Sequence, residues 1–166
     1  MSPQISEILN EKELNNFLNI IINSFSTVSD EMGITKETAP TNPAFLTIDR
    51  LLDIYKKMKC FGLYYEDLPI GFFGLEESKD SPLMLEKISV LPEFRHRGYG
   101  RMILDHTVKY AIEKKFKKIS IAIINENKRL KEWYTGYGFY EVRVTAFPHL
   151  PFEVCFMEYT IDSGSN

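Results

Sequence analysis

The sequence predicts an α/β (α+β) fold built on a mixed sheet. Short apolar strand runs separated by tight turns predict the sheet, and amphipathic segments at helical spacing predict the layers on it. A strand-to-helix junction within "LEKISVLPEFRHRGYGRMILDHTVKYAIEKK" (85–115) ties the two together. At 166 residues and 44% hydrophobic content the chain fills one domain well and is short for two, so 1–166 is read as a single domain.

Leu14, Phe17, Leu18, Ile21, Ile22 and Phe25 recur at three-and-four spacing and predict a first helix. Residues 27–44 hold turn formers and read as a long loop with a helical turn at most, the kind of segment that often forms a binding mouth. Thr47 or Asp49 caps a second helix through "RLLDIYKKM". "CFGLYYE" and "IGFFGLEE", joined by "DLP", form an antiparallel hairpin. "SPLMLEKISVL" is a third strand, ended by Pro92, and the helix 99–114 buries Ile103, Leu104, Val108, Ala111 and Ile112. A helix separates the third strand from "KKISIAII", which predicts a right-handed crossover and parallel pairing. The helix "KRLKEWYTGY" closes at Gly138, and "YEVRVTA" and "FEVCFMEYTI" complete the sheet.

With 23 acidic and 20 basic residues the net charge is -3, which lacks the basic excess of a general nucleic-acid binder. Cys60 and Cys155 sit in apolar strand-like runs and read as buried reduced thiols, and the 3 histidines and 2 cysteines show no metal-ligand spacing. The N-terminus is too polar for a signal peptide, and no apolar run reaches transmembrane length. A soluble, cytoplasmic protein without membrane contact is expected.

The junction concentrates positive charge in an acidic chain. Arg95, His96 and Arg97 precede Gly98-Tyr99-Gly100-Arg101 at the start of a helix. Glycines admit a ligand close to the backbone, the first N–H groups of a helix point outward, and arginines add charged donors. Phosphate is the natural guest. A Walker loop is excluded, because neither its lysine nor its magnesium-binding hydroxyl follows Gly100. A dinucleotide fold is excluded too: position 103 is Ile, and the next strand carries no acid.

The pattern that fits resembles the GNAT family of N-acetyltransferases. Val90, Pro92, Arg95, Gly98, Gly100 and Leu104 match that family's acetyl-CoA signature, and Asn127, Tyr134, Gly138 and Phe139 match a second segment. The resemblance covers about residues 60–160. It implies a mostly antiparallel central sheet with one splayed parallel pair and flanking helices. It also implies acetyl-CoA as cosubstrate, its pyrophosphate on the backbone of 95–101 and its pantetheine arm beside Ile88, Ser89 and Val90.

Acetyl transfer to an amine needs a neutral amine, a donor for the oxyanion and support for the departing thiolate. The resemblance places Tyr134 at the sulfur as acid and Asn127 at the pantetheine amides, where it equally fits as a helix cap. Glu86 is the candidate base; four residues before Val90, it shares Val90's face if the strand is regular. A glutamate that some members carry on the next strand is Ala122 here, so that route is closed. His149 in "FPHLPF" is a weaker candidate base, better suited to shaping an acceptor pocket, and His96 and His106 read as surface residues. Residues 27–47 and 146–152 are expected to form the acceptor mouth. The reading is an N-acetyltransferase acting on a small-molecule or peptide amine. Its alternative is a non-catalytic acyl-CoA-binding module, against which the retention of Tyr134 and Glu86 argues. The acceptor stays open, as does a homodimer through the aromatic-rich last strand.

Overall fold

The structure, a computed structural model, describes residues 2–162. Its strands are β1 (Gln4–Glu7), β2 (Lys59–Tyr65), β3 (Leu68–Glu76), β4 (Leu83–Val90), β5 (Lys118–Ile124), β6 (Tyr140–Ala146) and β7 (Glu153–Thr160). Its helices are α1 (Asn15–Met32), α2 (Ile48–Lys57), α3 (Tyr99–Glu113) and α4 (Lys128–Tyr137). The strands form one sheet in the order β1-β2-β3-β4-β5-β7-β6, antiparallel at every junction except the parallel pair β4–β5.

Alternation along the strands builds a core on each face. On one, Phe17, Ile20 and Ile21 of α1 and Leu51 of α2 pack on Cys60 and Phe72. On the other, Ile103, Leu104 and Ala111 of α3 and Tyr134 of α4 pack with Leu63, Phe73, Leu85 and Ile121. Both cysteines are buried and free, and burial pushes the Cys60 thiol up to about 12, so it stays protonated.

Several elements differ from the sequence expectation. β1 was not anticipated; it is four residues long and pairs with β2. α1 runs on to Met32 and stops where Gly33 takes the left-handed conformation (φ 66), its N–H turned back to the Asp30 and Ser29 carbonyls. The expected loop therefore begins only after Met32. Within it a 3-10 turn, Pro43–Phe45, is capped by Asn42, whose side chain accepts from the Ala44 N–H at 2.9 Å. The β2–β3 turn is Glu66-Asp67 rather than "DLP". Both residues have positive φ (50 and 68), the backbone that a two-residue hairpin requires. Ile112, expected in the core, is 56% exposed, because it falls off the buried stripe of α3. His106 is half-buried rather than on the surface, its ring 5.3 Å from Phe61 and 5.8 Å from Phe73.

The largest departure lies in β4. Phe72 faces Ser89 and Gly74 faces Glu86, so Lys87 (φ 58) and Ile88 together oppose Phe73 in a bulge. The extra residue reverses the parity of the strand. Glu86 and Ser89 face the α1/α2 side, whereas Val90 joins the core under α3 and α4. Glu86 therefore does not share Val90's face.

Phe17 is fully buried, its ring 5.9 Å from Tyr64 and 6.0 Å from Phe72, and it binds α1 to the sheet. Phe17→Ala should destabilise the fold by about 3–5 kcal/mol in urea titration. A loss below about 1 kcal/mol would mean that α1 does not depend on this ring.

Candidate functional site

The pairing of β4 with β5 is short. Leu83 lies against Ile119 and Met84 against Ser120, and beyond these the strands part. The wedge they leave exposes backbone that a closed sheet would pair. Ser89 lies opposite Phe72 and the Leu91 N–H donates to the Ile70 carbonyl at 2.9 Å, so alternation turns the polar backbone of Ser89 toward β3 and that of Val90 into the wedge. The Val90 N–H donates to Ser24 Oγ on α1 at 3.3 Å, a long bond that another acceptor could replace. Ser89 is fully buried, its hydroxyl donating to the Lys87 carbonyl at 3.0 Å. Ile88 packs at the border of the α3/α4 core.

Where β4 ends, the chain turns through Pro92–Phe94 into the loop 95–98 and then into α3. His96 (φ 62) and Gly98 (φ 85) both take left-handed backbone, and a Cβ on Gly98 would meet nothing within 4 Å. Gly98 is thus demanded by its dihedral and stands in open space. The first bond within α3 runs from the Met102 N–H to the Gly98 carbonyl at 3.0 Å, and no side chain caps the helix. The N–H groups of Tyr99, Gly100 and Arg101 accordingly lack acceptors within the helix.

The three arginines do different things. Arg95 donates from Nη2 to the Ser24 carbonyl at 2.7 Å and to Ser24 Oγ at 3.3 Å, fastening the loop to α1; burial lowers its pKa. Arg97 lies over the Phe94 ring at 5.2 Å and Arg101 over Tyr137 at 5.5 Å. Neither forms an ion pair among the described residues, and both flank the helix terminus.

Gly100 has a packing reason. A Cβ there would meet the Trp133 indole at 3.0 and 3.1 Å, so the residue lets α4 close against the first turn of α3. Next to Trp133, Tyr134 is 5% exposed and packs on Trp133 and Phe139 at 4.9 and 5.3 Å. Its hydroxyl has no hydrogen-bond partner among the described residues, and burial pushes its pKa up. Among the described residues no fully buried side-chain polar atom lacks a partner, so the small accessible part of Tyr134 includes that oxygen. Asn127 caps α4, its Oδ1 accepting from the Leu130 N–H at 3.2 Å.

Glu86 is half-buried on the opposite face. Burial raises its pKa, Glu76 adds to the rise and Lys87 opposes it. Beside it, Thr41, Leu46, Arg50, Asp53 and Ile54 line a cleft with Lys87. His149 is exposed in the β6–β7 loop against Phe147 (5.8 Å), and His96 is exposed in the α3 loop. No group of three or more His, Cys, Asp or Glu among the described residues is arranged to hold a metal ion, and none of their helices is long and apolar enough to cross a membrane. The sequence reading missed Ser24, whose only signal was a serine on the buried stripe of α1, and Trp133, which the small Gly100 accommodates.

The sequence model of the acetyltransferase (GNAT) family matches residues 25–139, and the chain belongs to that family. A curated relative, the thialysine N-ε-acetyltransferase of Bos taurus, is 31% identical over 78 residues, which span 47% of this chain and 42% of the relative. Among solved structures, the PaiA N-acetyltransferase of Thermoplasma acidophilum in complex with coenzyme A aligns with a TM-score of 0.77 at 18% identity, over 96% of this chain and 99% of that one. The ribosomal-protein-S18-alanine N-acetyltransferase of Escherichia coli aligns with a TM-score of 0.73 at 16% identity, over 99% and 98%. At such identities the likeness is one of fold.

Because the Glu86 pKa is raised, the folded state favours its neutral form. That contribution is complete below the ordinary carboxyl range and is lost as pH rises through the folded value. Glu86→Gln should therefore melt with the unmodified protein at about pH 4 and above it at about pH 7. A lower melting temperature for the variant at neutral pH would show that the charged carboxylate is stabilising.

Proposed function

We propose that the chain is an acetyl-CoA-dependent N-acetyltransferase that moves an acetyl group directly to a primary amine of a small molecule or peptide. The observation that carries this is the join of an open β4–β5 wedge to an uncapped helix N-terminus flanked by Arg97 and Arg101. The residues present fit the cosubstrate. Open space at Gly98 admits a pyrophosphate onto the backbone of 95–101, and the Val90 amide offers a hydrogen bond to the pantetheine arm once it leaves Ser24. The bovine relative's name, with its ε-amine acetylation, supports an amine acceptor. The single-domain reading of 1–166 and a cytoplasmic setting belong to the same proposal.

Bound acetyl-CoA supplies the activated acyl group; the rest falls to the chain. Glu86, on the α1/α2 side of the sheet, takes the amine's proton directly or through water, and its raised pKa brings it nearer to neutrality as a base. Tyr134, on the α3/α4 side, donates a hydrogen bond to the departing sulfur. Burial raises its pKa, so the hydroxyl is protonated when the thiolate departs and supplies its proton as the acid. Asn127 keeps an NH2 group available for a pantetheine carbonyl while its oxygen caps α4. The sheet thus separates the donor's side from the acceptor's.

Acetyl-CoA should raise the melting temperature, by about 2.7 kcal/mol of stability at 100 times its Kd, while ATP and NAD should do little. Gly98→Val should lose that response and keep its circular dichroism, since a branched residue neither tolerates the left-handed backbone nor leaves room for phosphate. Equal responses to all three ligands would sink the cosubstrate assignment.

Tyr134→Phe should bind acetyl-CoA normally and melt no lower than the parent, because the hydroxyl has no partner to lose. Turnover should fall roughly 100-fold with little change in cosubstrate affinity. Near-normal turnover would reduce Tyr134 to a packing residue.

A further inference from the structure

Two residues beyond the last β4–β5 pair, Met84 with Ser120, Glu86 stands level with Ala122 across the wedge. Ala122 faces Phe156 on β7, and Phe156 faces Arg143 on β6. Glu86, Ala122, Phe156 and Arg143 therefore form one row of side chains on the same face of the sheet. On this face α1 and α2 pack over β2–β4, while beyond the wedge Ala122 and Arg143 are exposed. The Arg143 guanidinium lies 4.1 Å from the Phe156 ring centroid, a stacked position that leaves the edge of its fork open. Phe147 of the β6–β7 loop packs against the same ring at 6.4 Å.

Arg143 makes no hydrogen bond or ion pair among the described residues, although its own strand and β7 carry acids. Each of these acids is engaged elsewhere. Glu158, next along this face of β7, pairs with Lys118 at 3.2 Å, and Glu141 lies on the opposite face, paired with Lys131 at 3.0 Å. Glu153 accepts from Asn125 at 3.5 Å. The row thus has an acid at one end and an uncommitted, pre-oriented guanidinium at the other, with a small alanine between them.

We propose that Arg143 binds the carboxylate of the acceptor, and that the acceptor is a long-chain amino acid whose terminal amine reaches Glu86. This rests on the acetyltransferase reading above and names the substrate class of that site. Paired strands lie roughly 4.8 Å apart and the wedge between β4 and β5 is wider, so the guanidinium over Phe156 stands at least on the order of 10 Å from Glu86 along the row. Less the reach of the Glu86 side chain, that span suits a lysine-like molecule laid over Ala122. Arg50 and Lys87 are poorer carboxylate receptors. They share their cleft with Asp53, and Arg50 already donates to the Pro40 carbonyl at 2.9 Å.

The test measures kcat/KM for lysine and ornithine against their carboxylate-free counterparts, cadaverine and putrescine. At least one amino acid should exceed its diamine by about tenfold or more, the scale of a hydrogen-bonded charge pair. Arg143→Ala should collapse that preference, chiefly through KM of the amino acid, and Arg143→Lys should retain an intermediate preference because it keeps the charge but loses the fork. Both variants should keep the parent's melting response to acetyl-CoA, which reports an intact fold and donor site. Diamines used as well as or better than amino acids, a preference untouched by Arg143→Ala, or acetyl-CoA binding with no turnover of either amino acid would each overturn the carboxylate site while the cosubstrate reading stands. A chain that fails to bind acetyl-CoA overturns both.

Discussion

Everything at this site depends on a sheet that stops pairing. Two parallel residue pairs hold β4 to β5, and then the strands separate with their backbone still polar. Unpaired amides and carbonyls in a protein interior must find partners, so the wedge is tolerable only where side chains or a ligand supply them. Ser24 supplies one, reaching from α1 to the Val90 N–H, and through Arg95 it also anchors the loop that presents the N-terminus of α3. The wedge and the loop that leads into α3 are therefore fastened to the same buried serine.

The layers around the wedge divide the labour. α3 and α4 close against each other through Gly100 and Trp133, bringing the uncapped helix end and Tyr134 to one side of the sheet. The bulge at Lys87 turns Glu86 to the other side, level with Ala122. Were these residues paired one to one back from Ser89, Glu86 would lie opposite Leu75 and point into the core beneath α3. A one-residue irregularity in β4 thus decides whether Glu86 and Tyr134 stand on the same or opposite faces of the sheet.

Much of this was legible in the sequence, because it follows from local rules. The crossover helix, the glycine turn and the cap of α4 by Asn127 are each encoded within a few residues. The bulge was not legible, since Lys87 adopts positive φ without a glycine or asparagine to announce it. β1 is too short for its alternation to stand out, and the last turns of α1 are too polar to read as helix, although Gly33 marks their end. Ser24 was invisible for another reason. Its partners lie 66 and 71 residues away, and no local pattern records a contact of that separation.

That separation bears on the order in which the chain matures. Closing so long a loop carries an entropic cost that must be met before the contact gives anything back, so such contacts form late. α1 and the β2–β3 hairpin can assemble from nearer neighbours, but the Ser24 fastening waits for β4 and the loop beyond it. The loop that leads into α3 is then among the last parts of the molecule to take shape during folding. It is also among the first to loosen when the far half of the chain opens, so its order should be lost before the helices melt.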